Sequence, residues 1–529
     1  MDTHGMTRRT FVAGTAALGS AALALPTLGC SGGDGSSDEK VFRWAQSDPQ
    51  LPLDPQRSTT PSSLNVADAV CDSLVYWNDA LELVPVLAAE MPTWSDDGLT
   101  LTVKLKEGIK FHDGSDFTAD DVKFTFERIY KPETASLVTN YYRHIKGADE
   151  MLAGKADSLE GLVVVDDYTV EFHLVEPYAQ FLSNLGFSYG DIYPRKACEE
   201  AGADWGLNGN LVGTGQYKLV SDDGSTVVLE ANEEWHAGEP NLDRINISYI
   251  DDVGTKMISF ANGELDACDL DASLLEQYQD DPEVGEKIHY ADTLGTYFVV
   301  LNLKDERFQD VRVREALSLA IDRQSLVDSV MCGAAKPATC FLAPAIPGSL
   351  GEDAEVFAYD PDRARKLLEE AGATDLSITF TTRQLTASQT TAIQAMWEEV
   401  GVTAEIVQVD QGTFTSDQAA GNLECYIQNW YPFYPDADNN MYSFFYSTQA
   451  ATKSSFYDNP DFDKLMDQGR VELDDDARAE IYRRADELLT HEDYACLPLF
   501  WPQMQYVATD EVKMDPRNIT YHFNEIEMS

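Results

Sequence analysis

The sequence predicts an α/β protein of two or three lobes, on three observations. Segments of period two, such as residues 100–105 with Leu101, Val103 and Leu105 on one face, are mixed along the chain with segments of helical period. The 529 residues exceed what one core usually serves. With 43% hydrophobic and 10% aromatic residues the chain can bury a large interior, which excludes a disordered protein.

The elements follow in order from local rules. Val170, Phe172 and Leu174 repeat the alternation of residues 100–105, so both segments read as half-buried strands. Thr118 stands as an N-cap before Val122, Thr125, Phe126 and Ile129 at helical spacing. Strands are predicted at 227–230, 245–250, 296–301 and 404–409. Asp310 caps a helix whose inner stripe is Val313, Ala316, Leu317, Ala320 and Ile321. Asp360-Pro361 opens another, with Ala364, Leu367, Leu368 and Ala371 inward and Gly372 as its stop. Further helices are expected near 392–400 and 478–490. No repeat of roughly 20 to 50 residues is visible.

Charge narrows the function. Lys and Arg number 38 against 91 Asp and Glu, a formal charge of −53, and no basic cluster is present to meet a phosphate backbone. Nucleic-acid binding is thereby excluded. The remaining acidity reads as a solvated surface, with an attraction for cationic ligands as the sharper alternative.

The N-terminus has the build of an export signal. Arg8-Arg9 precedes an uncharged Ala/Gly/Leu run from Val12 to Leu28, interrupted by Gly14, Gly19, Ser20 and Pro26, which is too diluted for a membrane span. The paired arginines with Phe11 resemble a twin-arginine signal, and Thr27-Leu28-Gly29-Cys30 resembles a lipobox with Thr27 where Leu is usual. Cys30 is then the expected lipid anchor, and the Gly/Ser stretch 31–40 a flexible tether. Seven cysteines follow Cys30, so at least one is unpaired. Cys332 and Cys340 flank a loop and could close it as a disulfide or remain free, since spacing does not set their separation.

The sequence contains no His-Glu-x-x-His, phosphate-binding loop or Gly-x-Gly-x-x-Gly. Asp436, Asp438 and Asn440 have calcium-loop spacing, but Met441 and Ser447 hold the places that need Gly and Glu. His112-Asp113-Gly114 reads as a turn. No cofactor is expected. Residues 430–446 concentrate aromatic side chains, and Pro432 and Pro435 break any regular element around Trp430 and Tyr431, so that part reads as a loop lining a cleft.

Ordered blocks carry a family resemblance. Residues 105–124 (LKEGIKFHDGSDFTADDVKF), Gly213-Thr214-Gly215-Gln216-Tyr217, residues 232–240 (NEEWHAGEP), Asn262-Gly263-Glu264-Leu265-Asp266 and the run from Phe308 to Arg323 resemble the solute-binding proteins of peptide/nickel-type ABC importers. The resemblance implies two lobes joined by crossover strands and working by hinge closure. Lobe I would take 41–79, 211–303 and 498–529, an inserted subdomain 80–210, and lobe II 304–497. It further implies a peptide or similar small polar solute as ligand, an ABC permease as membrane partner, a monomer, and a place on the outer face of the cell membrane. Nickel or haem chelates, sugars and opine-like solutes are the alternatives; an exported hydrolase is disfavoured because nothing in the sequence picks out a pair of acid and base side chains.

In peptide-binding members an Asp three residues after the Trp of this segment accepts the ligand ammonium, and here that residue is Phe433. A buried ammonium without its carboxylate loses about 3–5 kcal/mol. Asp436 is the expected substitute if the loop is displaced; otherwise an N-blocked or non-peptide solute would stack on Phe433 and Trp430. Arg383, after the strand-like 378–382, is a candidate for a ligand carboxylate or else an ordinary ion pair, and Tyr297 is a further cleft candidate. With no carboxylate at 433, the acidity reads as spread over the surface rather than focused on the ligand.

Overall fold

The computed structural model describes residues 39–529 apart from 79, 355–356, 433 and 517–519, and apart from the side chain of 273. Arg8, Arg9, Cys30 and Phe433 therefore lie outside the described residues.

Twelve strands join in one mixed sheet: β1 (Val41–Gln46), β2 (Tyr217–Asp222), β3 (Thr226–Ala231), β4 (Arg244–Tyr249), β5 (Ala267–Leu270), β6 (Ile288–Asp292), β7 (Thr296–Leu301), β8 (Ala335–Pro337), β9 (Ser377–Thr382), β10 (Thr403–Gln408), β11 (Cys425–Trp430) and β12 (Cys496–Ala508). Their order is β10-β9-β11-β7-β12-β5-β1-β4-β3-β2, with β6 and β8 also on β12. β1 runs parallel to β4 and β5, while β3 returns antiparallel on β4.

β12 is thirteen residues long because it serves both halves. Its first part pairs with β7 and its last part with β5, from Leu270↔Gln505 to Ala267↔Ala508. The chain thus crosses between halves twice, at 293–295 and at 501–504, and Thr293 Oγ1 donates to the Pro502 carbonyl at 2.6 Å to tie the crossovers together. This differs from the expected boundaries at 303 and 497. β7 lies wholly within the second half, paired to β11 from Thr296↔Trp430 to Leu301↔Cys425. All six of its residues are buried, because Tyr297, Val299 and Leu301 face one core cluster and Phe298 and Val300 another.

Between β1 and β2 the chain builds a separate layer. Thr93–Trp94, Thr100–Lys104, Thr169–His173 and Leu162–Asp166 form an antiparallel sheet in that order. Leu101, Val103, Val170 and Phe172 point inward from it onto Val122 and Phe126 of the helix Ala119–Arg128. That helix starts where Thr118 predicts, and Asp121 Oδ2 accepts from the Thr118 N–H at 3.0 Å. Asp310 accepts from Arg312 N at 2.9 Å to open Val311–Leu319, and Asp360 from Arg363 N at 2.9 Å to open Pro361–Glu370. Gly372 has φ +69°, the left-handed value that ends a helix.

Two helices begin earlier than their apolar spacing suggests. Ala387–Glu399 starts in a Thr/Ser-rich run whose hydroxyls return to the helix's own carbonyls, Thr390 to Thr386 and Thr391 to Ala387. Asp475–Glu487 takes its first turn from acidic residues, with Asp474 accepting from Ala477 N at 2.9 Å. Cys332 and Cys340 are both free thiols, so the loop between them is not closed by a disulfide. Cys340 is buried, with its thiol 3.2 Å from the Leu342 carbonyl, and Cys332 packs beside a different core cluster.

Candidate functional site

A cavity of about 330 Å³ opens where the first half of the sheet, the inserted layer and the loop after β11 come together. Its floor comes from the end of helix α1 (Pro61–Val70) and the extended segment that follows. Asp68 lies in the last turn and Asp72 just beyond it. The Gly213-Thr214-Gly215 block sets the position of Asp72. A Cβ on Gly213 would sit 2.1 Å from the Val70 carbonyl oxygen, and one on Gly215 2.6 Å from the Val70 carbonyl carbon, so only glycine allows this approach. The contact is closed by Gly215 N donating to Val70 O at 3.0 Å. Thr214, held between the glycines, donates to Asp72 Oδ2 at 2.8 Å, and His236 Nε2 lies 3.0 Å from the same oxygen.

The inserted layer contributes Ser188 and Asp191. Ser188 Oγ donates to Asp68, and the backbone beyond Asp191 is pinned by Ile192 N donating to the Asp72 carbonyl at 3.0 Å. Asp191 is 3% exposed and its Oδ2 has no hydrogen-bond partner among the described residues. Burial, followed by the nearby Asp68 and Asp72 charges, raises its carboxyl well above the usual carboxylate range. Three further lining side chains carry buried polar atoms without partners among the described residues: Trp235 at Nε1, His236 at Nδ1 and Asn524 at Oδ1. The wall opposite holds Tyr76, whose hydroxyl meets His522 Nδ1 at 2.8 Å and Glu525 at 3.2 Å. Trp77 stacks on Tyr434 at 6.4 Å and 5°, closing the side toward the second half. The described lining thus carries four carboxyl groups against one lysine, Lys106. Acidity is focused here, contrary to the expectation that it is spread over the surface.

Of the candidate ligand-binding residues singled out in the sequence, none of those described is part of this cavity's lining. Trp430 ends β11 and meets Phe444 edge to face at 5.3 Å. Tyr431 covers Gly295, where a Cβ would fall 2.5 Å from its ring, and meets Tyr297 at 6.4 Å; Tyr297 stacks on Phe500 at 4.8 Å. These three therefore gather at the crossover. Asp436 is 2% exposed, with its two oxygens each 2.9 Å from the Arg478 guanidinium, and its Oδ1 caps the helix Ala437–Phe445. That pairing accounts for its carboxylate without a ligand. Burial works against the Arg478 charge and Asp436 outweighs it, so the guanidinium is held more basic than usual.

Arg383 is 7% exposed and no carboxylate pairs with it among the described residues. It stacks over Phe414 at 4.2 Å and donates to the Ile427 carbonyl at 3.2 Å and Asn429 Oδ1 at 3.1 Å. Its Nε is buried without a partner among the described residues, and burial lowers its basicity.

Sequence reasoning missed Asp68, Asp72 and Asp191 as a group. Trp235 and His236 stood inside a recognised block, and Tyr434 and Pro435 inside the aromatic loop, without being read as cavity lining.

Two sheet halves joined by crossing strands, with a polar cavity against the crossover, define a two-lobed solute-binding protein. The family model of the bacterial extracellular solute-binding proteins, family 5 Middle, matches residues 82–452, and the chain belongs to this family. It is similar to the periplasmic oligopeptide-binding protein OppA of Escherichia coli (strain K12), 28% identical over 463 residues covering 82% of this chain and 83% of that protein. It is also similar to the heme-binding protein A of Haemophilus influenzae, 26% identical over 490 residues and covering 88% and 87%. Among solved structures, the unliganded open form of the murein tripeptide-binding protein MppA shares the fold with a TM-score of 0.82, at 22% identity, over 93% of this chain and 98% of that one. Members of the family are binding proteins of transporters, and substrate binding is the function of this chain. Among the described residues no helix is long and apolar enough to cross a membrane.

Proposed function

We propose that this chain is the exported receptor of an ABC importer, capturing a peptide or similar small polar solute between its lobes and delivering it to a membrane permease. The observation that carries the reading is the cavity: aromatic side chains from both halves, with buried polar atoms on Asp191, Trp235 and His236 that have no partner among the described residues. Buried polar atoms are ordinarily satisfied, so a bound solute supplies what the fold leaves out. Peptide specificity is supported by the oligopeptide-binding relative. The haem-binding relative makes haem the second class to test.

Arg383 is the proposed partner of a ligand carboxylate reaching past the crossover, with Trp430, Tyr431 and Tyr297 as further proposed ligand contacts; Phe433, the other proposed contact, lies outside the described residues. Closure about the crossover segments 293–295 and 501–504 shifts the population toward a form in which both lobes touch the ligand. Export by the N-terminal signal and acylation of Cys30 would hold the monomer at the outer face of the cell membrane, with no enzymatic activity and no cofactor of its own.

Thermal-shift measurements with dipeptides to pentapeptides, their N-acetylated counterparts and haem test the substrate class. Stabilisation by peptides is expected, and stabilisation by haem alone would replace the peptide reading. Membrane fractionation of the Cys30→Ser variant tests the anchor, which is wrong if that variant stays with the membrane.

A further inference from the structure

Three carboxyl groups from three separate segments converge at the floor of the cavity: Asp68 from the last turn of α1, Asp72 from the segment after it, and Asp191 from the inserted layer. Asp68 and Asp72 are each engaged by a hydroxyl, from Ser188 and Thr214. Asp191 differs. It is nine-tenths buried and more, lines the cavity, and carries an oxygen with no partner among the described residues. An unpaired carboxyl oxygen in a buried wall costs free energy unless a donor meets it. Two indoles, Trp77 and Trp235, line the same cavity, and indole rings attract cations. Among the described residues no group of three ligating side chains is placed to hold a metal ion. A polyatomic cation with several N–H donors suits this arrangement.

We propose that the cavity floor formed by Asp68, Asp72 and Asp191 receives an organic cation, the primary ammonium or guanidinium group of the transported solute. This rests on reading the cavity as the solute site. It replaces the missing carboxylate at position 433 with one on the opposite lobe, and it selects ligands by a basic side chain or amine rather than by a free peptide N-terminus.

A proton balance follows. Burial, Asp68 of α1 and Asp72 after it act on Asp191, and Asp191 in turn acts on Cys71 and on Tyr142 and Tyr193 of the inserted layer. The two acids and burial together favour the protonated Asp191 carboxyl in the empty site. An arriving ammonium favours the ionised form, so the proton leaves to solvent as the cation enters, and affinity rises with pH.

The test uses calorimetry on the mature protein with N-acetylated, C-amidated Ala-Lys-Ala, Ala-Arg-Ala and Ala-Gln-Ala, together with agmatine and spermidine, in two buffers of different ionisation enthalpy. The basic peptides are expected to bind about tenfold or more tightly than the glutamine peptide, with proton release. Asp191→Asn and, separately, Asp72→Asn are expected to abolish the preference, while Asp223→Asn in an exposed turn leaves it intact. Equal binding of all three peptides to the wild-type protein would overturn the cation site and leave the peptide reading standing. Binding of agmatine or spermidine without any peptide would keep the cation site and overturn the peptide reading. Binding of none of the five would overturn both. A preference retained in both Asp variants would also overturn the assignment to this floor.

Discussion

Replacing Gly213 by alanine tests the most constrained contact at the cavity. Its added Cβ would meet the Val70 carbonyl oxygen at 2.1 Å, the Cys71 Cα at 2.7 Å and the Cys71 sulfur at 2.8 Å, where non-bonded carbon atoms settle at about 3.5–4.0 Å. Two of these three atoms are backbone, so no rotamer change relieves the clash. The loop must back away from the end of α1. Overpacking of this kind costs about 1–3 kcal/mol. Moving the loop also weakens the Gly215–Val70 and Thr214–Asp72 hydrogen bonds, each worth about 0.5–1.5 kcal/mol. A loss of roughly 3 kcal/mol in urea unfolding is expected, together with weaker ligand binding because Asp72 loses its support. Gly224→Ala is the control: its φ is +79° but nothing lies within 4 Å of its Cβ, so only the left-handed backbone penalty of about 1–2 kcal/mol applies. A Gly213→Ala protein with wild-type stability and affinity would refute the claim that this glycine sets the cavity floor.

Other expectations follow from the same structure. Arg478→Ala leaves Asp436 buried without its counter-ion and is expected to cost about 3–5 kcal/mol in urea unfolding, whereas Asp436→Asn with Arg478→Met together should cost much less. Asp486 is fully buried, accepts from Phe341 N at 3.0 Å and Leu342 N at 2.9 Å, and burial pushes its carboxyl up to about 6. The folded state therefore keeps a proton that the unfolded chain has lost above about pH 4. Stability from this group is full below about pH 4 and falls, by about 3 kcal/mol in total, as pH rises through about 6. Asp486→Asn is expected to flatten that slope in unfolding curves taken at pH 4.5 and 6.5, and an unchanged slope would contradict it. Arg383→Ala is expected to weaken calorimetric binding of peptides with a free C-terminal carboxylate while leaving amidated ones unaffected; equal effects on both would confine Arg383 to a structural role.

Much of the fold was legible because it rests on short-range rules. Thr118, Asp310 and Asp360 announce helix starts by chemistry acting within three residues, and the apolar run 296–301 matches a strand buried on both faces. The early starts at Ala387 and Asp475 were hidden because polar residues form those first turns, so hydrophobic period carries no signal there. The sheet's crossing points were hidden for a different reason: β7 and the first residues of β12 take their places from strand pairing across more than a hundred residues. The site follows the same division. The aromatic loop after Trp430 is a local feature, legible from its prolines and aromatic side chains, and its Tyr434 and Pro435 line the cavity. Asp436, by contrast, meets Arg478 from 42 residues away, and Asp68, Asp72 and Asp191 meet only through the inserted layer. In a chain with 91 acidic residues, composition cannot separate the few that face a ligand from the many that face water.

The most direct test of solute capture at this cavity is hydrogen–deuterium exchange of the mature protein with and without a saturating tripeptide library. Protection concentrated in 68–78, 186–192, 213–216 and 235–237, together with the crossover segments 293–295 and 501–504, is the expected result. Ligand-dependent protection confined to surfaces outside those segments would contradict the account.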